Sequence, residues 1–171
     1  MIQVRETSLA GVMEIVPDVF TDHRGRYVEL FDTEAYAEVA GEIEWVQDDL
    51  SVSKKGVLRG IHGDYETTKL VTVLHGEGYA ILADNREESP TYRRWEAFEL
   101  SGENRRQLLI PKGVGNSVLA LSEVLVYFYK QDSHYVPGRQ FTIAWNDPAW
   151  NFAWPVDDPI LSERDRRGCY A

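Results

Sequence analysis

The stretch "KLVTVLHGEGYAILAD", residues 69–84, holds two apolar runs around a pair of glycines. Each run has strand length and is rich in the residue types that favour strands, and Gly76 and Gly78 interrupt them. The stretch therefore reads as two antiparallel strands joined by a hairpin turn. The texture continues outward. "RYVELFD" (26–32), "RRWEAFELS" (94–102), "RRQLLIP" (105–111), "NSVLALS" (116–122) and "VLVYFYK" (124–130) are strand-like, and "LSGEN" between two of them reads as a second hairpin turn. Several recur at the roughly 8–12 residue spacing of a sandwich or barrel. Helical periods are scarce: "DTEAYAEVAG" (32–41) predicts a short helix closed by Gly41, and the acidic-basic tail "DDPILSERDRRG" (157–168) is the other exception. No solenoid-type repeat, low-complexity tract or Gly/Ser linker divides the chain. The expected fold is all-β, a cupin-like jelly-roll barrel with a few short helices, forming one domain over residues 1–171.

Composition narrows the partners. With 43% hydrophobic residues and 12% aromatics the 171-residue chain is expected to fold into one sizeable core. Its 18 basic residues face 28 acidic ones, a formal charge of -10, so its overall field repels nucleic acid and anionic membrane surfaces. Neither is an expected partner, and an anionic ligand must meet a local basic pocket. Cys169 is the single cysteine and cannot form an internal disulfide. No apolar run approaches the roughly 20 residues of a membrane span, and the first 30 residues lack the basic-then-apolar layout of a secretory leader. The expected location is the cytoplasm.

A small β-barrel suggests a metal, but His23, His62, His75 and His134 are scattered, with no H-x-H or H-E-x-x-H. "IPKGVGN" (110–116) offers Asn116 where a metal-binding cupin would want histidine, so no metal is expected. A phosphate-binding loop, a dinucleotide fingerprint and a nucleophile elbow are also missing. What remains is polar residues inside strand-like runs. Arg59 and His62 lie three apart in "LRGIHGD", which in a regular strand sends them to opposite faces. Gly60 and Gly63 permit a bulge that aims both one way. Lys69 opens the next strand, and lysine is seldom buried unless partnered or functional. Taken locally, Arg59 and Lys69 also read as rim residues paired with carboxylates, and His62 as a structural histidine.

Ordered blocks along the chain say more. "FTDHRGRYVELF" (20–31), "WVQDDLSVSKKGVLRGIHGD" (45–64), "KLV" (69–71), "SPTYRRW" (89–95), "QLLIPKGVGN" (107–116), "YKQDSHYVPGRQ" (129–140), "WNDP" (145–148) and "WPVDDPILSERD" (154–165) together resemble the dTDP-4-dehydrorhamnose 3,5-epimerase family over nearly the whole chain. The resemblance implies a jelly-roll barrel, usually dimeric, that epimerises a nucleoside-diphosphate 4-keto-6-deoxysugar at C3, C5 or both, with no metal and no cofactor. It implies His62 as the base, Asp165 as its carboxylate partner, Tyr135 as the acid on the opposite face and Lys69 beside the 4-keto oxygen. Arg24 and Arg59 would contact the phosphates, and Glu29 and Gln47 would line the sugar site.

These residue types suit that reaction. A carbon beside a ketone loses its proton because the charge spreads onto the carbonyl oxygen. A histidine, with an ordinary pKa of about 6.5, is a poised base, and a carboxylate fixes its tautomer and steadies the imidazolium. A lysine ammonium holds the developing oxyanion. A tyrosine, protonated at neutral pH, can deliver a proton to the other face, and planar guanidinium groups grip phosphate oxygens bidentately.

The chain also departs from the family pattern. Asn116, counted with the substrate-binding residues, stands in "GVGN" where many members carry a histidine. Gly63 and Asp64 replace the usual aromatic residue and glutamine after His62, and the segment to Lys69 is shorter. These positions lie near the sugar pocket, so the substrate is open to variation, including a 4-keto heptose. Two other readings remain at this stage, a keto-sugar isomerase on the same scaffold and a barrel that binds a nucleotide sugar without turning it over.

Overall fold

The computed structural model describes residues 2–169. Its strands are β1 (Gln3–Glu6), β2 (Met13–Val16), β3 (Val19–Asp22), β4 (Gly25–Val28), β5 (Gln47–Lys54), β6 (Leu58–Gly63), β7 (Lys69–His75), β8 (Glu77–Asp84), β9 (Trp95–Ser101), β10 (Gln107–Ile110), β11 (Val114–Ala120), β12 (Val124–Gln131) and β13 (Phe141–Thr142). Two short helices, α1 (Thr33–Ala40) and α2 (Glu163–Arg166), complete it. A six-stranded sheet runs β1-β2-β10-β7-β12-β5 and a five-stranded sheet runs β13-β6-β11-β8-β9, while β3 and β4 form a separate ribbon. The paired strands in both sheets are antiparallel. This is the expected all-β jelly roll.

The core lies between the sheets. Val71, Val73, Leu108, Leu125 and Tyr127 of the larger sheet meet Leu82, Phe98, Leu100, Val118 and Ala120 of the smaller one. The outer faces are covered as well. α1 lays Tyr36 against Ile15, Leu70 and Leu109, and Ile143 and Trp150 of the C-terminal segment cover Ile61 and Ala83. Double-sided burial explains why β7 and β8 read as nearly unbroken apolar runs.

Both expected hairpins are corrected. β7 and β8 belong to different sheets, so "HGEG" carries the chain across the sandwich, and "LSGEN" does the same between β9 and β10. Local alternation cannot tell a hairpin from a corner between sheets, because both need two strands and a tight reversal. Gly76 turns that corner at a φ of 85°, where an added Cβ would lie 2.1 Å from the Val124 carbonyl oxygen. β4 ends at Val28, short of the run read over 26–32. The predicted helix is present: the Asp32 side chain caps it by accepting from the Ala35 amide at 2.8 Å, and Gly41 closes it at a φ of 73°. The tail folds back through bridges of Ile160 to Val57 and Cys169 to Ile143.

Candidate active site

The site begins with a register slip. β6 pairs with β11 through His62 opposite Asn116 and Arg59 opposite Val118, three residues on one strand spanning two on the other. Gly60 absorbs the extra residue at a φ of 115°, and a Cβ there would sit 2.6 Å from the Asn116 carbonyl oxygen. The bulge has the consequence that the glycines allow: Arg59 and His62 line one cavity of about 180 Å³. The opposite sheet supplies Lys69 from β7, Tyr129 and Gln131 from β12 and Asp49 from β5; Asn116 joins from β11, and Tyr135 and Gln140 from the segment after β12.

His62 Nε2 lies 2.5 Å from Asp165 Oδ1. Ser162 caps α2 and donates its hydroxyl to Asp165 Oδ2 at 2.8 Å, so both carboxylate oxygens are held. Burial pushes the Asp165 carboxyl up, but the His62 contact, the Ser162 bond and the Arg164 charge outweigh it and leave its pKa below the ordinary value. The aspartate is thus a fixed anion. Its bond to Nε2 leaves Nδ1 as the ring nitrogen free to take a proton.

Lys69 is only 4% exposed, and its ammonium donates to Asn116 Oδ1 at 3.1 Å. Burial lowers its pKa to about 8, against the Asp64 charge, which raises it, while Arg164 lowers it further. Arg59 donates Nε to Ser53 Oγ at 2.9 Å and Nη2 to the Val52 carbonyl at 3.4 Å, which fixes its guanidinium at the cavity rim. In a chain of net charge -10, Arg59, Lys69 and the adjacent Arg164 supply the local positive field that an anionic ligand needs.

Not every expected residue is here. Arg24 sits in the tip between β3 and β4, exposed, with its guanidinium paired to Asp22 at 2.6 Å, and Glu29 lies against a separate surface cleft with Phe31, Asp48 and Lys130. Within one chain, neither reaches the cavity of His62. Gln47 stands just behind its wall, donating to Asp49 Oδ2 at 2.7 Å and accepting from the Tyr135 amide at 2.9 Å. Tyr135 is at the mouth and 51% exposed.

Tyr129 is the residue that sequence reasoning missed. It projects from the larger sheet beside Tyr127, ring centroids 4.7 Å apart and nearly perpendicular, with its hydroxyl 3.5 Å from Ser51 Oγ. Burial raises its pKa, opposed by the Ser51 bond and the Arg59 charge and reinforced by Asp49 and Asp165. The signal was the alternation of β12, whose inward positions Leu125, Tyr127, Tyr129 and Gln131 become polar toward the cavity.

The comparisons with known proteins agree with this geometry. Residues 6–170 match the family model described as dTDP-4-dehydrorhamnose 3,5-epimerase. A protein of that name from Methanothermobacter thermautotrophicus is 42% identical over 166 residues, covering 94% of this chain and 90% of the relative. One from Shigella flexneri is 38% identical over 96% of this chain and 93% of its own length. A crystal structure of the Bacillus anthracis dTDP-4-dehydrorhamnose 3,5-epimerase with TDP and PPi bound superimposes with a TM-score of 0.96 at 32% identity, covering 100% of both chains. The Legionella pneumophila dTDP-6-deoxy-D-glucose-3,5-epimerase in complex with dTDP-4-keto-L-rhamnose superimposes with a TM-score of 0.92 at 37% identity, over 96% of this chain and 90% of that one. With this match running nearly end to end, the chain belongs to the dTDP-4-dehydrorhamnose 3,5-epimerase family and is an isomerase.

Proposed function

We propose that the protein epimerises a dTDP-linked 4-keto-6-deoxy sugar at C3, C5 or both, by proton abstraction next to the ketone and reprotonation on the opposite face. The observation that carries this reading is that the His62–Asp165 pair on one wall faces Lys69 and Tyr129 on the other across a single cavity. The relatives with TDP or dTDP-4-keto-L-rhamnose bound support a nucleotide sugar as the ligand. His62 takes the proton from the carbon beside the ketone, and Asp165 steadies the imidazolium. Lys69 donates to the ketone oxygen as it becomes an oxyanion. Arg59 holds the diphosphate. Only protons move, so no redox partner is required.

The acid has two candidates. The family resemblance assigns Tyr135, whose ring is half open to solvent. Tyr129 is the better supported, because it is partly buried in the sheet facing His62, against 51% exposure for Tyr135, and inversion needs a donor on the face opposite the base. Tyr135 then bounds the mouth.

Arg24 and Glu29 join the site in this reading by reaching the cavity of a second copy. The ribbon that carries Arg24 exposes Phe20 (59%) and Tyr27 (66%), and the sheet ends on β5, which exposes Leu50 and Val52. An unpaired edge with apolar side chains beside an apolar ribbon favours a homodimer. Each chain is a single jelly-roll unit in this assembly. A cytoplasmic location fits a soluble sugar nucleotide, and among the described residues no helix is long and apolar enough to cross a membrane.

The direct test is incubation with dTDP-4-keto-6-deoxyglucose followed by NMR of the sugar ring protons. An inverted C3, C5 or both supports the proposal, and recovery of the unchanged sugar overturns it for this substrate.

A further inference from the structure

Asp64, the residue that departs from the family pattern two places after His62, is buried, and its carboxylate is already engaged. Oδ1 accepts from the Glu66 amide at 2.8 Å and Oδ2 from the Thr67 hydroxyl at 3.0 Å. Arg139, from the other side of the cavity mouth, brings Nε to 3.8 Å from Oδ2. Its Nη2 donates to Thr67 Oγ1 at 3.0 Å, to Ser133 Oγ at 2.5 Å and to the His134 carbonyl at 3.2 Å. One guanidinium thus ties the segment after β6 to the start of the segment after β12. That second segment, residues 132–140, carries Tyr135 and Gln140 into the cavity wall, yet residues 134–138 are exposed.

We propose that Asp64 and Arg139 are positioning residues that form a latch, holding the 132–140 segment and with it Tyr135 and Gln140 across the mouth of the pocket. The role rests on the proposed function, because the pocket is taken to be the nucleotide-sugar site. A buried carboxylate is costly unless paired, so the charge of Asp64 draws Arg139 into place, and Arg139 spends its donors on the segment that must be held. Other ties hold the two ends of the segment and Tyr135, with Arg164 donating Nη1 to Gln140 Oε1 at 3.0 Å, so the latch governs the stretch between them. The Thr68 amide donates to Asp132 Oδ1 at 2.7 Å at its start, and Gln47 accepts from the Tyr135 amide at 2.9 Å. Between Tyr135 and Gln140, Arg139 is the side chain that reaches back to the barrel. Neither latch residue touches the reacting atoms in this account, so their loss weakens the grip on substrate while the chemical step persists.

The experiment is amide hydrogen exchange, read by mass spectrometry on the substrate-free full chain, for wild type, Arg139→Gln, Asp64→Asn, the double variant and the milder Ser133→Ala. Exchange across 132–140 is expected to rise about tenfold in Arg139→Gln, the scale of losing hydrogen bonds to a charged group. Exchange in 69–84 is expected to stay at the wild-type rate. The double variant is expected to match the larger single one, because both remove the same tie, and Ser133→Ala to move exchange in the same direction by less. With substrate, KM for Arg139→Gln is expected to rise about tenfold with kcat within about threefold of wild type, as removal of binding shared by ground and transition states requires. Arg139→Gln is the variant for that split, since Asp64→Asn also removes a charge that acts on Lys69. Unchanged exchange across 132–140 in Arg139→Gln and Ser133→Ala, or additive effects in the double variant, overturns the latch. So does a fall in kcat at constant KM. Because exchange needs no substrate, a wild-type protein that fails to turn over the sugar sinks the functional reading and leaves the latch to be decided by exchange.

Discussion

Asp165 Oδ1 lies 2.5 Å from His62 Nε2 although 103 residues separate them, and the contact is made only because the C-terminal tail folds back to set α2 against β6. In the proposed role the carboxylate chooses the tautomer, so its removal is expected to damage catalysis more than folding. Asp165→Asn is expected to lower kcat by about 10²–10⁴, the usual contribution of positioned acid-base groups, with a smaller change in KM. Steady-state kinetics on the folded variant checks this.

In its proposed role as oxyanion donor, Lys69 gives the reaction an alkaline limb. Its ammonium is the form that donates to the oxyanion, and burial sets its pKa to about 8, so kcat is expected to fall as pH rises through about 8. The sign for stability is opposite. Because the unfolded lysine holds its proton to a higher pH than the folded one, the stability that this group contributes rises with pH from about 8 to about 10.5 and is kept above that. Loss of activity without loss of the folded signal in that window separates titration of Lys69 from alkaline unfolding. Lys69→Ala is expected to cost about 10²–10³ in kcat.

The two tyrosines separate by stereochemistry. Removal of the acid leaves the base working, so Tyr129→Phe is expected to retain deuterium exchange into the substrate while losing the inverted product. Tyr135→Phe is expected to keep the inverted product. The reverse pattern assigns the acid to Tyr135.

Gly60 is expected to be intolerant. A Cβ at a φ of 115° and 2.6 Å from a backbone oxygen must displace β11 or undo the bulge. Gly60→Ala is expected to cost at least about 1–3 kcal/mol of stability from the backbone conformation alone. It is also expected to lower activity by turning Arg59 and His62 apart, read by denaturant midpoint and kcat.

Subunit mixing tests the placement of Arg24. If Arg24 serves the cavity of a second copy, Arg24→Ala and His62→Ala homodimers are each weak, but their heterodimer has one site free of both changes. Mixing inactive variants is expected to restore activity, and no restoration places Arg24 outside the partner's site.

Much of this was legible in the residues, for reasons that differ by element. The strands β4 and β6 to β12 and the helix α1 follow from local pattern, while β1, β2, β3, β5 and β13 do not, and the bulge was foreshadowed by Gly60 between Arg59 and His62, whose φ of 115° favours glycine. The corners at "HGEG" and "LSGEN" were misread because which sheet a strand joins is decided by long-range pairing. Tyr129 was hidden inside "VLVYFYK", where aromatic residues on alternate positions look like core, and only the opposing sheet reveals that the last of them meets a cavity. Arg24 and Glu29 share a sequence block with the family but not a cavity with His62 within one chain, because neighbourhood in sequence does not fix which cavity a side chain reaches.

The most direct test of the central claim is deuterium incorporation from D₂O into dTDP-4-keto-6-deoxyglucose, read by NMR at C3 and C5, for wild type and His62→Ala. The account predicts incorporation at C3, C5 or both with wild type and none above background with His62→Ala. Equal incorporation by the two proteins would contradict His62 as the base.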